Sequence, residues 1–320
     1  MMNRLRQAFD PFLLLLLATV ALASILPARG EGARIAEMMA DAGIVLLFFL
    51  HGAKLSRAAI WDGTRAWKLH LAVLGTSFLL FPLIGLATQQ IGIIPDDMRA
   101  GLLFLTLLPS TVQSSIAFTA IARGNVAAAV VSASFSNLLG IVATPLLVAL
   151  LMRQGGASVS LASIEGIVLQ LLLPFLVGHS ARPWIGGFVA RHKTKIGWVD
   201  RGSILLVVYA AFSAAVVEGL WQSVTGSELA LLAGVCCVML AILLVLTFGL
   251  GRLIGLSRED AIVLQFCGSK KSLATGVPIA GVLFPAAAVG PILLPLMLFH
   301  QIQLMVCAVL ARRYGAKLSE

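Results

Sequence analysis

The segment Gln265-Phe266-Cys267-Gly268-Ser269-Lys270-Lys271-Ser272-Leu273-Ala274-Thr275-Gly276 sets two adjacent lysines in a run, Ala261 to Leu283, that is mostly apolar or small. Such a run is about long enough to cross a bilayer at roughly 20 residues per helical span. A cation at the centre of a spanning helix is disfavoured by about 2.5–3.5 kcal/mol on insertion scales, so it faces a water-filled cavity or a partner inside the bundle and marks function. Were the register shifted, both side chains would snorkel to an interface. The distance from Asp260 to Lys270, about half a span, instead puts the pair near mid-membrane. Neighbours on a helix point about 100° apart. One ammonium is therefore expected to face a cavity and the other to reach a partner or a backbone carbonyl.

The rest of the chain supports a membrane reading. Of 320 residues, 59% are hydrophobic and only 12% charged, against about 25% charged in a soluble domain. Spanning structures are helices or closed barrels, and long continuous apolar runs, not alternating ones, select helices. The net charge of +9 comes from short basic clusters between apolar runs, which fits membrane topology and not nucleic-acid binding. Cys236, Cys237, Cys267 and Cys307 all lie in apolar segments with no metal spacing, and a disulfide framework is not expected. The first apolar run, Phe12 to Leu26, could mimic a signal peptide, but reads better as a first span.

Ten spans are expected, at residues 10–28, 35–53, 66–91, 98–122, 126–152, 161–182, 202–222, 228–254, 260–283 and 287–311. With a cytoplasmic N-terminus the outer segments hold only Arg29, Arg34, Arg99 and Arg153. Seventeen of the 23 Lys and Arg residues fall inside, among them Arg4, Arg6, Arg57, Arg65 and Lys317, and the remaining two are Lys270 and Lys271. That positive-inside bias predicts a multi-pass protein of the cytoplasmic (inner) membrane with both termini cytoplasmic. The stretch Arg182 to Asp200 reads as the longest hydrophilic loop. Five spans per half would make the halves inverted, a common transporter plan, with residues 1–156 as the first repeat and 157–320 as the second. A weak internal match agrees: Ser115-Ile116-Ala117 resembles Ser272-Leu273-Ala274 at an offset of 157 residues, and Ala127-Ala128-Ala129-Val130 resembles Ala286-Ala287-Ala288-Val289 at 159.

Two spans are expected to be broken in equivalent places. Span four carries Pro109-Ser110-Thr111-Val112-Gln113-Ser114-Ser115, and proline removes a backbone donor and clashes with the preceding turn. Span nine is interrupted at Gly268 and again at Pro278. Irregular backbone at membrane depth is tolerated only where it is buried in protein or lines a cavity, and paired interruptions point to a transport site. An ordinary proline kink, with serines bonded to their own helix, is the alternative for span four. Span five shows a small, partly polar stripe, Ala133, Asn137, Gly140 and Thr144, with Ser132 and Ser136 beside it. It suits close helix packing, or contact with the broken segment through Asn137 and Ser136. Gln265, Ser269 and Ser272 flank the lysines, and His51 and His300 are cavity candidates. No catalytic triad, nucleotide fingerprint or zincin spacing appears, so an enzyme is not expected.

Leu50-His51-Gly52-Ala53-Lys54, Thr111-Val112-Gln113-Ser114-Ser115-Ile116-Ala117-Phe118-Thr119, Gly124-Asn125-Val126 and Lys271-Ser272-Leu273-Ala274-Thr275-Gly276-Val277-Pro278 together resemble the bile acid:sodium symporter family, in its SBF-like bacterial subgroup. The resemblance implies ten helices in two inverted repeats, a panel and a core domain, and broken fourth and ninth helices crossing near sodium sites. It would place sodium at Ser114, Ser115, Ser132 and Ser136, with Gln113 nearby, and puts Lys270 and Lys271 where the family carries a Gln-Asn pair. The family's glutamate falls at about Phe266. A fixed cation opposes sodium at close range. Lys270 or Lys271 is therefore expected to balance an anionic substrate or to take the cation's place, with sodium by the resemblance, a proton, or no cation at all as the coupling ion, and no other cofactor. The expected function is secondary transport of a small organic anion, with a non-transporting regulator of ion homeostasis as the alternative.

Overall fold

The computed structural model describes residues 11–54, 66–90, 92–152, 166 and 168–316, and every described element is helical. In chain order these are α1 (Pro11–Ile25), α2 (Glu31–Lys54), α3 (Trp67–Thr88), α4 (Asp96–Thr106), α5 (Gln113–Ile121), α6 (Val126–Leu151), α7 (Leu173–Arg191), α8 (Lys193–Val217), α9 (Gly226–Leu253), α10 (Arg258–Gly268), α11 (Leu273–Leu283) and α12 (Ala286–Ala316). A single turn, Leu220–Ser223, precedes α9. Arg4, Arg6, Arg57, Arg65, Arg153 and Lys317 of the charge count lie outside the described residues, as do residues 161–165 of the sixth expected span. Five described helices are long and apolar enough to cross a membrane: α3, α6, α8, α9 and α12. α2 is long but carries Glu31, Arg34, Glu37 and Asp41. The chain leaves the helix between Thr106 and Gln113, and again between Gly268 and Leu273, so neither helix pair forms one continuous span.

Two expectations need correction. Arg182 to Asp200 is not a loop: α7 continues through Pro183 to Arg191, and α8 begins at Lys193. Polar residues there extend the helices beyond the apolar stretch, and Pro183 removes one intrahelical donor without ending the helix. Pro278 does not break span nine either, since α11 runs through it to Leu283. The interruption is confined to residues 269–272, which follow Gly268 and hold both lysines.

The helices group into two compact units, each assembled from separate stretches of the chain. One comprises residues 1–55, 156–225 and 277–293; the other comprises 56–155, 226–276 and 294–320. In the first, α2 packs along α7 and α8. The contact is close because Gly52 and Gly178 face backbone: a Cβ on Gly52 would strike Phe175 O, and one on Gly178 would strike Phe49 O. Small residues allow such approach where lipid supplies no hydrophobic drive between helices. Lys54 pairs with Asp200 at one end of this contact. Gly178→Leu is expected to cost at least about 1–3 kcal/mol, as overpacking does. Thermal denaturation in detergent, read by loss of monodispersity, checks this; an unchanged midpoint would refute the close-contact argument.

In the second unit Leu69 and Val73 of α3, Ala128, Ala129 and Ala133 of α6, and Val263, Leu264 and Cys267 of α10 form one buried cluster. The alanines bring α6 close to its neighbours. α6 starts where Asn125 caps it, accepting from Ala128 N at 3.0 Å, after a turn in which Arg123 adopts a left-handed φ of 58°. Asn125 Nδ2 also donates to Asp260 at 2.9 Å, fixing the start of α6 to the start of α10. The C-terminal ends of α4 and α10 lie in this same unit.

Candidate functional site

The chain between α4 and α5 exposes a row of carbonyls that no helix satisfies, and each finds a donor. Leu107 O accepts from Thr144 Oγ1 at 2.7 Å, Pro109 O from Ser272 N at 2.9 Å, and Ser110 O from Asn137 Nδ2 at 2.8 Å. Thr106 O and Leu108 O both accept from the ammonium of Lys271, at 2.8 and 2.5 Å. The second interruption is matched in return. Ser110 Oγ donates to Cys267 O at 2.6 Å, Ser115 Oγ to Phe266 O at 2.9 Å, and the Gln303 amide brackets Lys271 by accepting from its N–H and donating to its carbonyl, both at 2.9 Å. An unsatisfied backbone group at membrane depth costs several kcal/mol. The two breaks are thus mutually satisfying, each supplying donors the other lacks.

Lys271 has a third partner, Ser77 O at 2.8 Å. Its origin is local. α3 contains a π-helical turn, Thr76–Leu80, in which Phe81 N bonds Thr76 O. The next donor in that register would be residue 82, which is a proline without an N–H. Ser77 O is therefore left for Lys271. π-turns of this kind recur at functional sites. The Lys271 ammonium also lies 4.0 Å from the ring centre of Phe81, and the C-terminal end of α4 favours a cation there.

Lys270 is as deeply buried, at 0% exposure, but far less well paired. Its ammonium reaches Ser114 Oγ at 3.2 Å and lies 4.4 Å from the Phe118 ring centre and 5.9 Å from that of Phe266. Ser114 stands at the start of α5, where free N–H groups favour an anion rather than a cation. The described ion pairs lie elsewhere, at Glu31–Arg34, Lys54–Asp200 and Asp96–Arg99, so among the described residues no carboxylate pairs with either lysine.

The remaining sequence candidates divide. Ser110, Thr111, Ser114, Ser115, Ser132, Ser136, Asn137, Ser269 and Ser272 are all in this unit; Thr111 Oγ1 bridges Ser114 and Ser115, both at 2.9 Å. Both readings of the α6 stripe hold: Gly140 lies against Pro109, while Ser136 and Asn137 bond the Ser110 backbone. Gln113 is exposed and outside the network. Gln265 points to α9 instead, donating to Leu244 O at 2.8 Å. Ser269 Oγ bonds Gln265 O at 2.5 Å, and Ser272 Oγ accepts from Thr275 N at 3.2 Å. His300 Nδ1 contacts the Gln303 amide at 2.8 Å. His51 belongs to the other unit, edge-on to Phe48 at 5.9 Å. Sequence reasoning missed His70, buried and bonded through Nδ1 to Ser132 Oγ at 2.7 Å, together with Ser77, Thr106 and Thr275.

The four serines expected to hold sodium each have a polar partner in this structure. Ser132 is occupied by His70, Ser136 by Ser110 N, Ser115 by Phe266 O, and Ser114 faces the Lys270 ammonium. Among the described residues, no acid pairs with either lysine.

Helices interrupted at membrane depth around a fixed polar centre are the construction of secondary membrane transporters. The chain belongs to the SBF-like CPA transporter family, whose family model matches residues 10–316. It is similar to an uncharacterized protein, PA2026, of Pseudomonas aeruginosa, with 56% identity over 99% of this chain and 96% of that one. It is also similar to the protein named "Putative symporter YfeH" of Escherichia coli K12, with 52% identity over 97% and 94%. A third relative, sodium/bile acid cotransporter 7-A of Xenopus laevis, shares 26% identity over 97% of this chain and 92% of its own length. The chain is accordingly a multi-pass membrane transporter and not an enzyme.

Proposed function

We infer that the chain carries a small organic anion across the cytoplasmic membrane by alternating access, and needs no sodium to do so. The observation that carries this is the unequal pairing of two sealed ammonium groups: three carbonyls hold Lys271, one hydroxyl meets Lys270. Lys271 acts as a tethered structural cation in place of a coupling ion. Lys270, beside the start of α5, supplies the charge that an anionic substrate meets. Both are buried, so access to Lys270 requires the surrounding helices to part. The wider frame is ten spans in two inverted repeats of five, with both termini cytoplasmic, and the paired interruptions and the basic-residue distribution support it.

The test is a thermal-shift screen of the purified protein against mono- and dicarboxylates, sulfonates and phosphate esters, with sodium or choline as counter-ion, since ligands of the folded state stabilise it. At least one anion is expected to raise the midpoint equally in both salts, and to do nothing to Lys270→Gln. Uptake of that anion into proteoliposomes should then persist in choline. Uptake that collapses without sodium would overturn the reading.

A further inference from the structure

Away from the lysines, the second unit carries an open groove of about 610 Å³. Leu244, Val245 and Phe248 of α9 form one wall; Val306, Val309 and Leu310 of α12 form the other. From Met305 to Arg313 it follows α12 for about 12 Å at the helical rise. One end is basic. Arg313 lines it. Arg252 lies 4.2 Å from the ring centre of Phe248. Arg258 donates to Tyr314 O at 2.9 Å, and Tyr314 also lines the groove. These three exposed guanidinium groups come from three helices, and none is in a described ion pair. The acids of the adjoining turn are Glu259 and Asp260, and Asp260 is engaged by Asn125.

We propose that this groove holds an acyl chain of an anionic phospholipid from the surrounding bilayer, with its phosphate on Arg252, Arg258 and Arg313. Apolar walls alone select nothing in a membrane, because lipid tails are as apolar as leucine. Selection comes from the basic end: pockets of arginine between membrane helices hold anionic head groups, and guanidinium pairs with phosphate through two parallel donors. A second copy of the chain fits less well, since a symmetric contact would oppose like charges. The bound chain would also brace the substrate site. Gln265 lines the groove, holds Leu244 O, and accepts from Ser269 immediately before Lys270.

The test is native mass spectrometry of the full-length protein offered equal phosphatidylglycerol, phosphatidylcholine and oleate. Phosphatidylglycerol should be retained roughly ten-fold over phosphatidylcholine, a ratio worth about 1.4 kcal/mol. The triple variant Arg252→Gln, Arg258→Gln, Arg313→Gln should erase that preference. Val309→Trp, which fills the groove without touching a charge, should reduce retention of phosphatidylglycerol while the protein stays monodisperse. Equal retention of the two phospholipids would overturn the proposal, as would preference for oleate, or indifference to both variants. A dimer lost on Val309→Trp would assign the groove to a second copy instead.

Discussion

Lys271→Met is expected to lower the thermal midpoint of the purified protein by roughly 6–12 °C and to abolish transport. The native ammonium is the donor for Ser77 O, Thr106 O and Leu108 O. Methionine fills similar space but donates nothing, so three buried acceptors lose their partner. Each orphaned buried acceptor costs about 1–3 kcal/mol. The variant also escapes the desolvation of a charge, which offsets part of the loss. A net deficit of about 3 kcal/mol remains, and a large chain loses about 2–4 °C per kcal/mol. Because the carbonyls belong to α3 and to the break after α4, their loss also frees the segment that positions Ser110 to Ser115. Lys271→Ala gives the sharper readout. It opens space among three carbonyl oxygens, the ligand type hard cations prefer. Roughly 100 mM sodium should then raise the midpoint of the variant and leave the native protein unmoved, by the linkage of ligand to fold. A variant as stable as the native protein, in either salt, would sink the tethered-cation argument.

The sequence carries this site unevenly, for reasons specific to each part. Pro109 and Gly268 announce the breaks because they alter the backbone itself. Lys270 and Lys271 stand out because charge is scarce in apolar runs. The division of labour between them is not written there: the partners of Lys271 are backbone carbonyls, which every residue possesses. Only the π-turn ahead of Pro82 leaves Ser77 O available, and a π-turn has no periodic signature. Ser77, Thr106, Thr275 and His70 are single polar residues in apolar helices, indistinguishable in sequence from those that bond their own preceding turn. Gln113 and Gln265 misled because a helix turns by about 100° per residue, so membership of a broken span does not fix which face a side chain takes. Pro278 misled in the opposite sense. It sits inside a helix, where the loss of one donor is tolerated by the turns on either side.

Lys270→Met should separate function from fold where Lys271→Met joins them. Lys270 contributes one hydroxyl contact at 3.2 Å and two ring contacts, the latter worth about 0.5–2 kcal/mol. Its removal also relieves the cost of burying an unpaired charge, so the thermal midpoint should stay within about 2 °C of the native value or rise, one kcal/mol being worth about 2–4 °C. Transport should fall steeply. A unit anion about 4 Å from an ammonium is stabilised by about 4 kcal/mol at an effective dielectric of 20, and each 1.4 kcal/mol is about ten-fold in affinity. Uptake efficiency at limiting substrate is therefore expected to drop by roughly 100- to 1000-fold, and anion-induced thermal shifts should vanish with it. Lys270→Arg retains the charge but replaces a compact ammonium with a planar fork between Phe118 and Phe266, so recovery should be partial. The contrast between neighbours is the decisive measurement. If Lys270→Met is as destabilised as Lys271→Met, both lysines are structural. If it is stable and still transports, the anion is bound elsewhere, and the start of α5 with Ser114 loses its assignment.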